Sequence, residues 1–213
     1  MRYMRFHVIT LLPKTIEEYA NSSILGRAQK SKKISVKTYD LRKWGMGKYK
    51  KVDDRPFGGG PGMVMAVKPI YDAVSRIQNT VYRIPKRKTR VILFSTRGKL
   101  FTQKEAKRLA KYDDLILICG RYEGVDERVA KHIADEELSI GEYVLTGGEM
   151  PALAAIDAVS RLTPGVLGKN ESLEDIKGSY PVYTRPEKFG RWRVPKTLLS
   201  GHHKNIDKWR RVE

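Results

Sequence analysis

Apolar and polar positions along the chain follow two periods that alternate. Met4 to Leu12 and Ile34 to Tyr39 read as strands, and Arg90 to Ser95 (RVILFS) and Asp114 to Cys119 (DLILIC) are short apolar runs between turn signals. Such continuous runs are the mark of parallel strands covered on both faces. Thr102 to Lys111 has helical spacing, with Thr102 placed as its N-cap. Val125 to Ile133 is a second helix, with Asp126 and Glu127 in its first turn, where the helix dipole favours negative charge. Gly148 to Arg161 is a third, and Pro151 in its first turn costs little because that N–H would be unpaired anyway. This last helix is apolar almost all round, which predicts burial in a core or a subunit interface. The alternation predicts an α/β fold with a mostly parallel sheet.

The pattern loosens after Thr163. Residues 164–190 are rich in Pro, Gly and charge and read as a linker. Residues 195–213 turn helical again, with a break at Ser200-Gly201. The expected organisation is therefore a domain at 1–163, the linker at 164–190, and a small helical C-terminal domain at 191–213. Asp40 to Gly62 is a second long loop, of the kind that often carries function.

Charge sharpens this picture. The 213 residues hold 42 bases and 24 acids, a formal net charge of +18. That excess points to a polyanion, foremost nucleic acid, because each neutralised phosphate releases counterions. The distribution is uneven. Pro181 to Glu213 holds nine bases and three acids, or +6, while Tyr112 to Glu149 holds ten acids and three bases, or −7. A basic tail beside an acidic middle suggests that one part grips and another does something else. The single cysteine, Cys119, excludes a disulfide framework within the chain and a cysteine zinc site. With no apolar run near the ~20 residues of a membrane span and no signal-peptide pattern, a cytoplasmic protein is expected.

Four segments could carry chemistry. Gly58-Gly59-Gly60-Pro61-Gly62 brings backbone within reach of a ligand or phosphate, or is a plain flexible loop; it matches neither the dinucleotide nor the Walker pattern. Cys119 to Gly124 (CGRYEG) turns from strand to helix, where ligands of open α/β sheets bind, or is an ordinary tight turn. Ser139 to Gly148 (SIGEYVLTGG) can offer backbone groups to an adenine edge while Ile140, Val144 and Leu145 pack its faces. Ser172-x-x-Asp175 supplies a general base or a helix cap, and Arg161 with Asp157 forms a routine i,i+4 ion pair. His7, His132, His202 and His203 have no metal-ligand spacing, so no metal site is expected, and His7 reads as a satisfied strand residue. Trp44, Trp192 and Trp209 sit among bases and could stack on RNA or simply pack.

Taken together, DDRPFGGGPGMVM at 53–65, CGRYEGVDERV at 119–129, SIGEYVLTGGEMPALAAIDAVSRLTPGVLG at 139–168, and YPVYTRPEKFG followed by VPKTLLSGHHKNIDKWR resemble one family over nearly the whole chain. That family is the bacterial tRNA (guanine-N1)-methyltransferases, of the SPOUT superfamily. The resemblance implies a trefoil-knotted SPOUT methyltransferase domain, a feature that general chain-topology rules disfavour. It implies an S-adenosyl-L-methionine site held by Phe94, Ser95, Gly120, Ile140, Gly141, Glu142, Tyr143, Val144, Leu145, Gly147 and Gly148. It further implies Asp175 and Arg161 as catalytic residues, a homodimer with active sites at the subunit interface, and methylation of N1 of the guanine immediately 3′ of the anticodon in tRNA. The first cofactor loop departs from the family's usual Pro-Gln-Gly and reads Ser95-Thr96-Arg97-Gly98. The C-terminal domain is expected to be short, with its +6 charge supplying phosphate contacts. A magnesium requirement is not readable from the sequence. Two other readings remain open: a ribose 2′-O-methyltransferase of the same fold, and a non-catalytic RNA-binding protein.

Overall fold

The structure is a computed structural model that describes residues 3–81, 87–167 and 180–212. The chain forms two compact units, Met1–Leu167 and Gly168–Glu213. In chain order the first unit contains β1 (Met4–Thr10), α1 (Pro13–Ala20), α2 (Ser23–Lys30), β2 (Ile34–Asp40), a 3-10 turn at Leu41–Trp44, β3 (Asp53–Asp54), β4 (Val64–Met65) and α3 (Val67–Val81). It continues with β5 (Thr89–Leu100), α4 (Gln103–Leu109), β6 (Asp114–Ile118), α5 (Glu127–His132), β7 (Glu136–Ser139) and α6 (Glu149–Arg161).

Five strands form one parallel sheet in the order β2-β1-β6-β5-β7. β6 lies at its centre, with Leu115, Ile116, Leu117 and Ile118 all fully buried. Because side chains alternate across a strand, Leu115 and Leu117 enter one core and Ile116 and Ile118 the other. The first core holds Ile16 of α1, Leu25 of α2, Leu109 of α4 and Ile156 of α6; the second holds Ile70, Val74 and Ile77 of α3 and Val129 of α5. The result is a three-layer α/β sandwich, and each buried side chain of this size stabilises it by roughly 1.5–3 kcal/mol.

The N-terminal end of β6 carries a buried ion cluster. Asp114 accepts from Arg5 Nε at 2.6 Å, from Arg5 Nη2 at 3.0 Å, and from Arg87 Nε at 2.8 Å. His7 Nε2 lies 2.9 Å from the same carboxylate and its Nδ1 lies 3.0 Å from the Tyr39 hydroxyl. His7 is thus a satisfied strand residue. Trp44 packs against Tyr39 at 6.3 Å between ring centroids.

The three helices expected at 102–111, 125–133 and 148–161 are α4, α5 and α6, within two or three residues at each end. Asp126 caps α5 by accepting from the Arg128 N–H at 2.9 Å. Thr102 holds the N-cap position of α4 but its side chain makes no capping bond there. Helices α1, α2 and α3 and strand β7 were not foreseen.

In the second unit, described from Tyr180 onward, β8 (Lys188–Phe189) and β9 (Trp192–Arg193) form an antiparallel hairpin, followed by α7 (Lys196–Leu199) and α8 (His203–Val212). The two helices meet at the expected break, where Gly201 has φ +70°. The hairpin begins inside the stretch read as linker. Its residues are few and exposed, so no long apolar alternation announces it.

Candidate functional site

The C-terminal ends of β5, β6 and β7 open into three loops that line one cavity of about 470 Å³. This lies within the size range of small-molecule sites. The first loop is an excursion inside β5. Leu138 of β7 pairs with both Phe94 and Lys99, so the residues between them are extruded from the ladder. A Cβ at Gly98 would come within 2.5 Å of the Leu138 nitrogen, so only glycine lets β5 return beside β7.

The second loop follows β6. Tyr122 takes φ +62° and Gly124 φ +142°. A tyrosine in that region is strained, and strain of this kind persists where neighbours impose it. Here the neighbour is the segment around β4. Glu123 N–H donates to Met63 O at 3.0 Å, Met65 N–H to Gly124 O at 3.0 Å, and Arg121 N–H to Met65 Sδ at 3.0 Å. Gly62 lies against the Glu123 side chain, so the glycine-rich loop at 58–62 ends beside the cavity. Gly58, Gly59 and Gly60 all have positive φ, with open space where a Cβ would stand.

The third loop runs from β7 into α6. Gly148 N–H donates to Gly120 O at 2.9 Å, and a Cβ on Gly148 would sit 2.7 Å from Cys119 Cα. The second and third loops therefore touch backbone to backbone. A buried ion pair fixes them: Arg121 Nε donates to Glu149 Oε2 at 3.1 Å, and Thr10 Oγ1 donates to Glu149 Oε1 at 2.7 Å. A Cβ on Gly147 would fall 2.5 Å from Arg121 Nε, so glycine there leaves room for the pair.

Glu123, Glu127 and Glu137 line the cavity with Arg97 and Arg121, so three carboxylates against two guanidiniums leave a net charge of −1. That balance suits a cationic small molecule. Arg97 Nη2 lies 2.7 Å from Glu127 and 3.6 Å from Glu137, tying the first loop to α5 and β7. The hydrogen bond to Glu127 raises the Arg97 pKa and lowers that of Glu127. Burial, then the nearby Glu149 charge, pushes the Cys119 thiol well up, so it is a protonated packing residue. Among the described residues no group of three His, Cys, Asp or Glu stands together as a metal site.

Of the residues expected to hold the cofactor, Phe94, Ser95, Gly120, Ile140, Gly141, Tyr143, Val144, Leu145, Gly147 and Gly148 all line the cavity. Glu142 does not; it is exposed and outside the lining. Arg121 and Tyr122, which belong to the turn at 119–124, also line it, as does Pro151. The CGRYEG turn marked the first two, whereas Pro151 was legible only as a first-turn residue of its helix. Arg161 ends α6 and is not part of the lining; ten residues beyond Pro151, it stands about 15 Å further along the helix axis. The expected Arg161–Asp157 pair is not found among the described residues, because Asp157 instead accepts from the Tyr19 hydroxyl at 2.8 Å. Asp175 lies outside the described residues.

Comparison with known proteins agrees with this geometry. The model of the family described as tRNA (guanine-1)-methyltransferase TrmD matches residues 4–213. A tRNA (guanine-N(1)-)-methyltransferase of Ruminiclostridium cellulolyticum is 50% identical over 97% of this chain and 89% of its own. One of Clostridioides difficile is 49% identical over 99% of this chain and 92% of its own. Among solved structures, the tRNA (m1G37) methyltransferase from Aquifex aeolicus superposes with a TM-score of 0.82 at 42% identity, covering 98% of this chain and 88% of that one. The α/β fold with its central parallel sheet is thus close to that of a solved enzyme of this kind, and the chain belongs to the tRNA (guanine-1)-methyltransferase family.

Proposed function

We propose that this protein moves a methyl group from S-adenosyl-L-methionine to N1 of the guanine immediately 3′ of the anticodon in tRNA. The observation that supports it is the single cavity walled by all three glycine-bearing loops, set in a chain of this family. The residues present fit the methyl donor. Gly120, Gly147 and Gly148 line it with backbone alone, Leu93, Ile140 and Leu145 offer apolar surface to a flat ring, and the −1 lining tolerates a sulfonium. When bound, S-adenosylmethionine supplies an electrophilic methyl group.

The protein's own residues then prepare the nucleophile. Guanine N1 carries a proton at neutral pH, and charge builds on O6 as that proton leaves. Asp175 accepts it. A free aspartate has a pKa of ~3.9 and is a weak base unless desolvated, so it needs help. Arg161 gives that help by placing its guanidinium at O6, a contribution typically worth about 3–4 kcal/mol.

The reading includes a homodimer with composite sites. Each site takes Asp175 from the other subunit, and the support for a dimer is a groove of exposed Tyr19, Met150 and Ala154 between α1 and α6. It also includes the trefoil knot, a linker at 164–190, and a small C-terminal RNA-binding domain.

One experiment tests the assignment. Asp175→Ala and Arg161→Ala should each lower kcat by at least about 100-fold with donor affinity kept. Mixed after subunit exchange, the two variants should recover about a quarter of wild-type activity, since random pairing gives half heterodimers, each with one intact site. No recovery on mixing would place both groups in one subunit. Equal loss of turnover and donor binding would make them structural.

A further inference from the structure

We propose that the hairpin of β8 and β9 is a stacking platform for an unpaired base of the RNA substrate; this rests on the tRNA reading above. Phe189 and Trp192 are cross-strand partners, so both rings emerge from the same face of the hairpin. Their centroids are 5.9 Å apart with planes 24° from parallel, and each side chain is 67% exposed. The turn is two residues long, and Gly190 at φ +58° allows it.

Two features distinguish this pair from packing. The other exposed-unit aromatics are engaged inside the second unit: Tyr183 meets Trp209 at 6.1 Å, and Tyr180 carries the Arg210 guanidinium at 4.8 Å. Phe189 and Trp192 meet only each other among the described residues, leaving open ring faces in water. A cross-strand aromatic pair could pin a hairpin this short, but pinning does not require open faces. The second feature is charge. Lys188, Arg191 and Arg193 flank Phe189 and Trp192 along the hairpin with Glu187 the only acid, net +2 over residues 187–193, and none of the three bases has an ion pair among the described residues. Bare aromatic faces on an element that also carries unpaired cations are how proteins hold single-stranded nucleic acid: the ring stacks on a base, and the cations hold its phosphates.

The two parts have separate signatures. Stacking involves no counterion release, whereas a phosphate contact does. The test is tRNA affinity as a function of salt, measured on the full chain. Trp192→Leu and Phe189→Leu should each weaken binding about tenfold at every salt concentration, with the salt slope unchanged, and Trp192→Phe should restore most of it. Lys188→Ala with Arg193→Ala should instead flatten the slope. Retention of donor binding, and of the melting temperature, shows that the leucine variants are folded. Wild-type affinity in both leucine variants overturns the platform. So does a loss that Trp192→Phe fails to rescue, which would mark the rings as hairpin packing only. If the wild-type chain itself does not bind tRNA, the functional reading fails first.

Discussion

Gly148 and Asp114 show how single positions decide opposite ends of the same sheet. At the C-terminal end, Gly148 lets the third loop lie directly on Cys119 and Gly120, with 2.7 Å between Cys119 Cα and a would-be Cβ. Backbone cannot yield as a flexible side chain can. Gly148→Ala should therefore part the two loops and weaken S-adenosylmethionine binding by about tenfold or more, a loss of at least 1.4 kcal/mol, as read by calorimetry. At the N-terminal end, burial alone would push the Asp114 carboxyl up. The hydrogen bond from His7 and the bonds and charges of Arg5 and Arg87 outweigh it and hold the pKa at about 2, against an ordinary 3.8. A depressed carboxylate stabilises the fold above its unfolded pKa. The stability it provides is complete above about pH 4 and lost as pH falls through 2, roughly 2 kcal/mol over that window. Asp114→Asn should remove this pH dependence and destabilise at pH 7 by about 3 kcal/mol, because Arg5 and Arg87 lose their buried partner. Urea denaturation at pH 7 and at pH 3 measures both effects; equal pH sensitivity in the variant would exclude this role.

At the scale of elements, the cavity depends on loops held by contacts of unequal strength. The second and third loops are joined by the buried Arg121–Glu149–Thr10 cluster and by backbone bonds. The first loop is tied by Arg97 to Glu127 across solvent-exposed atoms. Exposed pairs are screened and worth little. Arg97→Ala should therefore lower donor affinity by less than about fivefold, and most of the difference should vanish in high salt. A large, salt-independent loss would mean that Arg97 touches the donor directly. The departure from the family's first-loop pattern thus falls on a residue that fastens the loop rather than one that shapes it.

For the whole molecule, the net charge of +18 acts at a distance. The second unit carries nine bases against three acids from Pro181 onward. Affinity for tRNA should fall steeply with salt, with a logarithmic slope of about −4 or steeper, the release expected from roughly five phosphates. Replacing Lys196, Lys204 and Lys208 by alanine should flatten that slope by about 2 to 3 without changing affinity for the methyl donor. A slope near zero in the wild type would remove the basic surface from recognition.

The sequence by itself determined the strands and helices whose pattern is strong. β6 reads plainly because both of its faces are buried, and α6 because its apolar stripe is uninterrupted. It also marked the glycine-bearing segments, since close backbone approach demands residue types that stand out. It missed α1 and α2, eight residues each with few buried positions such as Ile16 and Ala20, and it missed α3 although Ile70, Ala73, Val74, Ile77 and Val81 recur there at helical spacing. The tertiary structure alone decided that segments at 93–98, 120–125 and 138–148 meet, because the order β2-β1-β6-β5-β7 places β6 and β7 on either side of β5 and no local pattern encodes that order. It alone turned Asp157 toward Tyr19 rather than Arg161 and left Glu142 out of the cavity's lining. Local periodicity fixes which face of an element is apolar, whereas the partner each polar atom finds depends on where distant elements come to rest.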